Sequence, residues 1–241
     1  MRKDDLKVIL FAAAVCIICS LMLSLASEGL KENKARNVEI DRKFNVLKAF
    51  GSAVEDDKGE RIILDADVLD TFEKHITEVV IDSETGNILE GVTSDNLTKE
   101  EIKTKSKLPL YLWRDGEEVT RYAFPISGYG LWSTLYGYMA VEKDLATIIG
   151  VTFYAHKETP GLGGECSEPW FMNQFKGKKI WDGELLNFEV VKNKVATKYP
   201  EGNTHAVNGI SAATITSDGI QKFIRNDVRK YDRYFSQIRG T

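Results

Sequence analysis

LPLYLWRDGEEVTRYAFPI, residues 108–126, reads as two β-strands around a turn. Aromatic and β-branched residues fill both arms, and Asp115-Gly116 stands between them, a short-range signature of a hairpin. Before this hairpin lies ITEVVID (76–82), rich in β-branched residues, followed by the turn SETGN and the apolar stretch ILEGV. After it come LYGYMAVE (135–142) and TIIGVTFYAH (147–156), two further strands, and then LNFEVVKN (186–193), another. Short strands with close turns predict an antiparallel or mixed sheet.

Helical periodicity flanks the strands. Ile220, Phe223, Ile224, Val228, Tyr231 and Phe235 recur at the spacing of one helix face, predicting a C-terminal helix over 218–235. WFMNQFKG (170–177) resembles a short amphipathic helix, and 65–74 reads as another. Leu30, Val38, Ile40, Phe44, Leu47 and Phe50 mark a charged helix from Glu28 to about Phe50, and residues 51–62 read as a loop. No internal repeat, low-complexity tract or Pro-rich linker interrupts the chain.

Val8 to Ala26, VILFAAAVCIICSLMLSLA, carries no charge. As a helix at about 1.5 Å per residue it spans roughly 28 Å, close to the hydrocarbon thickness of a bilayer. A cleaved signal peptide has a shorter apolar core, so this stretch reads as a retained anchor. Arg2, Lys3 and Lys7 precede it and favour a cytoplasmic N-terminus. The fold expected is therefore α+β: a single N-terminal transmembrane helix, then one mixed or antiparallel-sheet domain with flanking helices. Residues 1–27 form the cytoplasmic end and anchor, and residues 28–241 the extracytoplasmic domain.

The 241 residues are 43% hydrophobic and 28% charged with a net charge of −4, a composition too apolar for a disordered chain and not basic enough to suggest nucleic-acid binding as the main task. Cys16 and Cys19 lie in the anchor and leave only Cys166 outside it, so neither a disulfide scaffold nor a multi-cysteine metal centre is expected.

Three stretches could carry chemistry. SAATITS (211–217) crowds hydroxyls and small residues at the start of the last helix, where free backbone N–H groups and the dipole favour an anion; Ser217 as a plain N-cap is the alternative. KETPGLGGE (157–165) concentrates Gly161, Gly163 and Gly164 after Pro160, which permits positive φ or close backbone approach by a flat ligand, or simply a surface loop. SGYGLWSTLYGYM (127–139) offers Tyr129, Trp132, Tyr136 and Tyr138 either as an aromatic wall or as core.

These stretches together resemble one family. The anchor, GYGLWSTLYGYMA, TFYAHKETPGLGGE, FKGKK (175–179) and GISAATITS stand in the order and spacing of the C subunits of the bacterial sodium-translocating NADH:quinone reductase, whose relative is found in the Rnf complexes. The resemblance implies an FMN-binding domain with FMN attached through its phosphate to the last residue of the motif Asp-x-x-Ser/Thr-Gly-Ala-Ser/Thr. That motif aligns with Asn208 to Thr214, which makes Thr214 the attachment residue, flanked by Ser211 and Ala213. Asn208 stands in place of Asp and removes a charge a flavin transferase could read. Ala212 stands in place of Gly and adds a methyl where positive φ is expected.

The resemblance further implies that Glu158, Thr159, Gly161, Leu162 and Gly163 approach the isoalloxazine, with Trp132 opposite. It implies an electron carrier in the bacterial inner membrane, with its soluble domain on the periplasmic side. That carrier is matured by a flavin transferase and passes electrons from an iron–sulfur centre to another flavin-bearing subunit, with no substrate site and no metal of its own. An Rnf-type subunit and a non-redox anchored assembly module are the alternatives.

Overall fold

The computed structural model describes residues 3–52, 64–182, 185–192 and 194–239; most of the predicted 51–62 loop lies outside these. The chain divides into two units, residues 1–42 and 43–241. The first holds α1 (Lys3–Gly29) and the start of α2 (Lys31–Ala49). Residues Lys7–Gly29 form a helix with mean hydropathy 2.8 whose side chains are exposed, long and apolar enough to cross a membrane.

The second unit is built on a five-stranded antiparallel meander, β1 (Ile76–Asp82), β2 (Lys107–Asp115), β3 (Glu118–Tyr129), β4 (Thr134–Glu142) and β5 (Ile148–Ala155), paired in that order. Alternation along the strands sends side chains to opposite faces, and here both faces are covered. Leu110, Leu112, Phe124, Ile126, Met139, Val141 and Phe153 join one core with α7 (Thr214–Arg239), which packs along β3. Phe124 lies 4.5 Å from the Tyr231 ring and 5.9 Å from Phe235. On the other face Tyr111 meets Phe72 of α3 (Asp65–His75), and Trp113 meets Phe50 and His75.

Gly137 shows how tightly the meander is drawn: a Cβ there would fall 1.9 Å from the Thr152 carbonyl oxygen, where strand β4 bulges. α4 (Lys99–Thr104) opens with a capping box, Thr98 and Glu101 each bonding the other's backbone N–H.

Between β5 and α7 the chain makes α5 (Pro169–Met172), a two-stranded ribbon of β6 (Trp181–Asp182) and β7 (Leu185–Leu186), β8 (Glu189–Val191), α6 (Val195–Lys198) and β9 (Ala206–Asn208), with β8 and β9 parallel. After the SETGN turn Ile88 bridges Ile81, and Gly91, at φ +72°, turns the chain away. Two sequence expectations are corrected. LNFEVVKN is split between β7 and β8. The last helix begins at Thr214, four residues before the expected start, and runs to Arg239.

Candidate functional site

The three chemistry-bearing stretches meet at one carboxylate. Glu158 is 5% exposed. Its Oε1 accepts from the N–H groups of Trp132 (2.9 Å) and Ser133 (3.1 Å), and its Oε2 from the N–H of Leu131 (3.3 Å) and the hydroxyl of Thr216 (2.8 Å). The 131–133 turn, the 158–164 loop and the first turn of α7 are thereby joined. Two glycines close around this carboxylate: a Cβ on Gly130 would lie 2.8 Å from Oε1, and one on Gly163 would lie 2.5 Å from Oε2 and 2.7 Å from Thr216 Oγ1. The glycines read as room for a flat ligand thus include one, Gly163, whose missing side chain is occupied by Glu158 and Thr216.

The rest of the loop follows from local chemistry. Thr159-Pro160-Gly161-Leu162 is a type II turn, with the Leu162 N–H on the Thr159 carbonyl (3.1 Å), Pro160 presetting the first corner and Gly161 at φ +73° the second. The Glu158 N–H donates to His156 Nδ1 (3.3 Å), which places the ring proton on Nε2, directed at Ser167 Oγ (3.2 Å). The Lys157 N–H donates to Ser133 Oγ (2.7 Å), a second tie between this loop and the turn. Cys166 lies buried behind the loop; burial and then the Glu158 charge push its thiol up to about 12, so it is not a nucleophile.

Burial opposes ionisation of Glu158, but the bonds from Trp132, Thr216, Ser133 and Leu131 outweigh it and hold the carboxyl below the usual glutamate range. A folded-state value below the unfolded one gives stabilisation that is complete above the unfolded value and is lost as pH falls through the folded one. The difference in denaturation midpoint between the wild type and Glu158→Gln is therefore expected to hold steady from neutral pH down to about 4.5, and to shrink below it. A difference that shrinks above that pH contradicts the assignment.

The 211–217 stretch is set by its hydroxyls. Ala213 precedes α7, donating its N–H to the Ile210 carbonyl (3.2 Å) and accepting from the Ser217 N–H (3.0 Å). Ser217 is therefore not the N-cap. It lies inside the first turn, and its Oγ accepts from the Ile210 N–H (2.9 Å). The amides of Thr214, Ile215 and Thr216 precede the first intrahelical bond and are the orphan donors of this helix end. Thr214 is half-buried, while Ser211, Ala212 and Ile215 are exposed.

Of the aromatic candidates, Tyr138 is core, stacked on Tyr154 at 5.4 Å, whereas Tyr129, Trp132 and Tyr136 are exposed, Trp132 by 71%. Trp132, Tyr129 and Tyr136 line an open cavity of about 480 Å³ beside the 131–133 turn. Leu162, Thr159 and Gly161 lie exposed on the neighbouring loop.

Sequence reasoning missed Thr216 and Gly219. A Cβ on Gly219 would lie 2.3 Å from the Tyr129 carbonyl oxygen, so this glycine lets α7 rest directly on the chain entering the 131–133 turn. A glycine inside an otherwise strong helix pattern was the available signal. It also missed Asp227, buried on α7, which accepts from the Ser127 N–H (2.8 Å) and pairs with Lys105.

Residues 130–228 match the FMN-binding domain family, which spans the 131–133 turn, the 158–164 loop and the start of α7 together. The C subunit of the Na(+)-translocating NADH-quinone reductase of Vibrio anguillarum is 33% identical over 91% of this chain and 89% of its own length. The corresponding protein of Pseudomonas aeruginosa is 30% identical over 99% and 97%. The chain belongs to this family of reductase C subunits. The crystal structure of the Parabacteroides distasonis member superposes with a TM-score of 0.70 at 28% identity, covering 86% of this chain and 97% of that one. The Shewanella oneidensis NqrC structure gives 0.69 at 26% identity over 87% and 100%.

FMN fits the residues present. A phosphate requires donors, and the open end of α7 supplies them at the half-buried residue Thr214. A flat ring requires exposed apolar or aromatic side chains on rigid backbone, and Trp132 and Leu162 supply them on segments fixed by Glu158.

Both departures from the family motif have a structural reading. Asn208 Oδ1 accepts from the Val195 N–H (2.7 Å), and its Nδ2 donates to Gln174 Oε1 (2.6 Å), the same oxygen that accepts the Asn208 N–H (2.9 Å). An aspartate would set a second oxygen against Gln174 Oε1. Asn208→Asp is expected to destabilise this chain by about 1–3 kcal/mol, read as a lower urea midpoint, although it restores the motif. A gain in stability contradicts the pairing. Ala212 has φ +57°, the left-handed region. Ala212→Gly is expected to stabilise by about 1 kcal/mol, again by denaturation midpoint; a loss shows that the methyl carries contacts which outweigh the strain.

Proposed function

We propose that this chain is the membrane-anchored electron carrier of a sodium-pumping NADH:quinone reductase, holding FMN in phosphoester linkage on Thr214. The observation that carries the reading is the position of Thr214: it is the first residue of α7, and its amide with those of Ile215 and Thr216 forms the open donor end of that helix. FMN supplies reversible one- and two-electron chemistry when bound. The protein's part is to hold and orient it. The Thr214 oxygen fixes the phosphate, the N–H groups of Ile215 and Thr216 neutralise its charge, and Ser211 and Ala213 shape the turn that presents it. Trp132 and Leu162 would hold the ring, with Glu158, Thr159, Gly161 and Gly163 in the loop that carries Leu162. Covalent attachment keeps the cofactor from escaping into a large outer volume.

In this reading residues 1–27 are the cytoplasmic end and lipid-embedded anchor. Residues 28–241 stand on the periplasmic side of the inner membrane, the orientation favoured by Arg2, Lys3 and Lys7. A flavin transferase matures the chain, and electrons pass from an iron–sulfur centre to this FMN and on to a second flavin-bearing subunit. NADH and quinone react elsewhere in the complex.

The test is expression with and without a flavin transferase, followed by denaturing electrophoresis. The reading predicts a fluorescent band at the size of this chain only when the transferase is present. A chain that stays dark under both conditions contradicts it.

A further inference from the structure

Glu158 is built into the site in a way that no ligand contact explains. Its two oxygens accept four hydrogen bonds, three from the 131–133 turn and one from Thr216 on α7, segments separated by more than eighty residues. Gly130 and Gly163 close the remaining space. The carboxylate is therefore fully engaged by its own chain and has no free face toward a cofactor.

Burying a charge is costly unless it is hydrogen-bonded on every side, and an apolar side chain would fill the same space more cheaply. What an apolar residue could not supply is directional bonding of three consecutive amides to a helix two residues beyond Thr214. We infer that Glu158 is the positioning residue of the flavin site: it fixes the turn bearing Trp132 against the first turn of α7, so that the attachment point and the aromatic wall hold one geometry. This rests on the assignment of FMN to Thr214. Thr216 is the coupling hydroxyl, and Thr216→Val cuts the link to α7 while leaving the three amide bonds in place.

The experiment uses the full-length chain in detergent, in flavin-free form and in flavin-bearing form. In the flavin-free chain, hydrogen exchange of a peptide covering 131–133 is expected to rise at least about tenfold in Glu158→Ala and to stay unchanged in Thr216→Val. In the flavin-bearing chain, both variants are expected to lower the fluorescence anisotropy of the FMN and to raise its intensity as Trp132 ceases to quench it. Both signals are read per bound FMN, with occupancy measured by mass, and Glu158→Gln is expected to fall between wild type and Glu158→Ala on exchange, anisotropy and intensity.

Unchanged exchange in Glu158→Ala overturns the inference. So does faster exchange with unaltered flavin anisotropy and intensity, which reduces Glu158 to a structural group. Failure of the Thr214 assignment shows separately, as FMN persisting on Thr214→Ala, and leaves the flavin-free exchange result standing.

Discussion

Thr214→Ala is expected to yield a folded chain with no covalent flavin, dark in a denaturing gel after expression with a flavin transferase. Removing Oγ takes away the only atom at this position that can be esterified, so the loss should be complete rather than partial. The fold should survive, because Thr214 is half-buried and its first helical turn is held by other groups, Thr216 on Glu158 and Ser217 on the Ile210 N–H. Thr214→Ser keeps the hydroxyl and is expected to keep the flavin. A fluorescent Thr214→Ala chain moves the attachment to a neighbouring hydroxyl. Of these, Ser211 is exposed, whereas Thr216 and Ser217 are buried and already bonded.

Phe124→Ala carries the largest expected loss of stability. Phe124 is fully buried at the centre of β3, against Tyr231 and Phe235, and this packing holds α7 along the sheet. Truncating a ring in such a place costs about 3–5 kcal/mol through lost burial and the cavity left behind. For a unit of this size that corresponds to a fall of roughly 10 °C or more in the thermal midpoint. Because α7 begins at Thr214, flavin occupancy is expected to fall with it. A loss below about 1 kcal/mol would mean that α7 does not depend on this ring.

The meander was legible because its strands carry dense β-branched and aromatic residues separated by clear turns, and because the hairpin at Asp115-Gly116 fixes the register of its neighbours. The C-terminal helix was legible from Ile220 onward, where the apolar face is regular. Its true start was not, because Thr214, Thr216 and Ser217 have hydroxyls that usually compete with helical backbone. Here two of those hydroxyls are consumed elsewhere, by Glu158 and by the Ile210 amide, and the helix extends back through them. The same partnership was invisible in the 157–165 loop. Nothing local in KETPGLGGE tells that the glutamate turns inward, since its partners lie at 131–133 and 216. Gly161 is the turn residue its neighbours suggest. Gly163, whose spacing suggests room for a ligand, also makes room for a carboxylate and the Thr216 hydroxyl.

The reading of Thr214 is tested most directly by the mass of the tryptic peptide spanning residues 199–222, cut from the protein isolated from its native membrane. That peptide contains Ser211, Thr214, Thr216 and Ser217 and no internal lysine or arginine. The account predicts a peptide heavier by one FMN less one water, with fragmentation placing the addition on Thr214. An unmodified peptide, or an addition on any other residue, contradicts it.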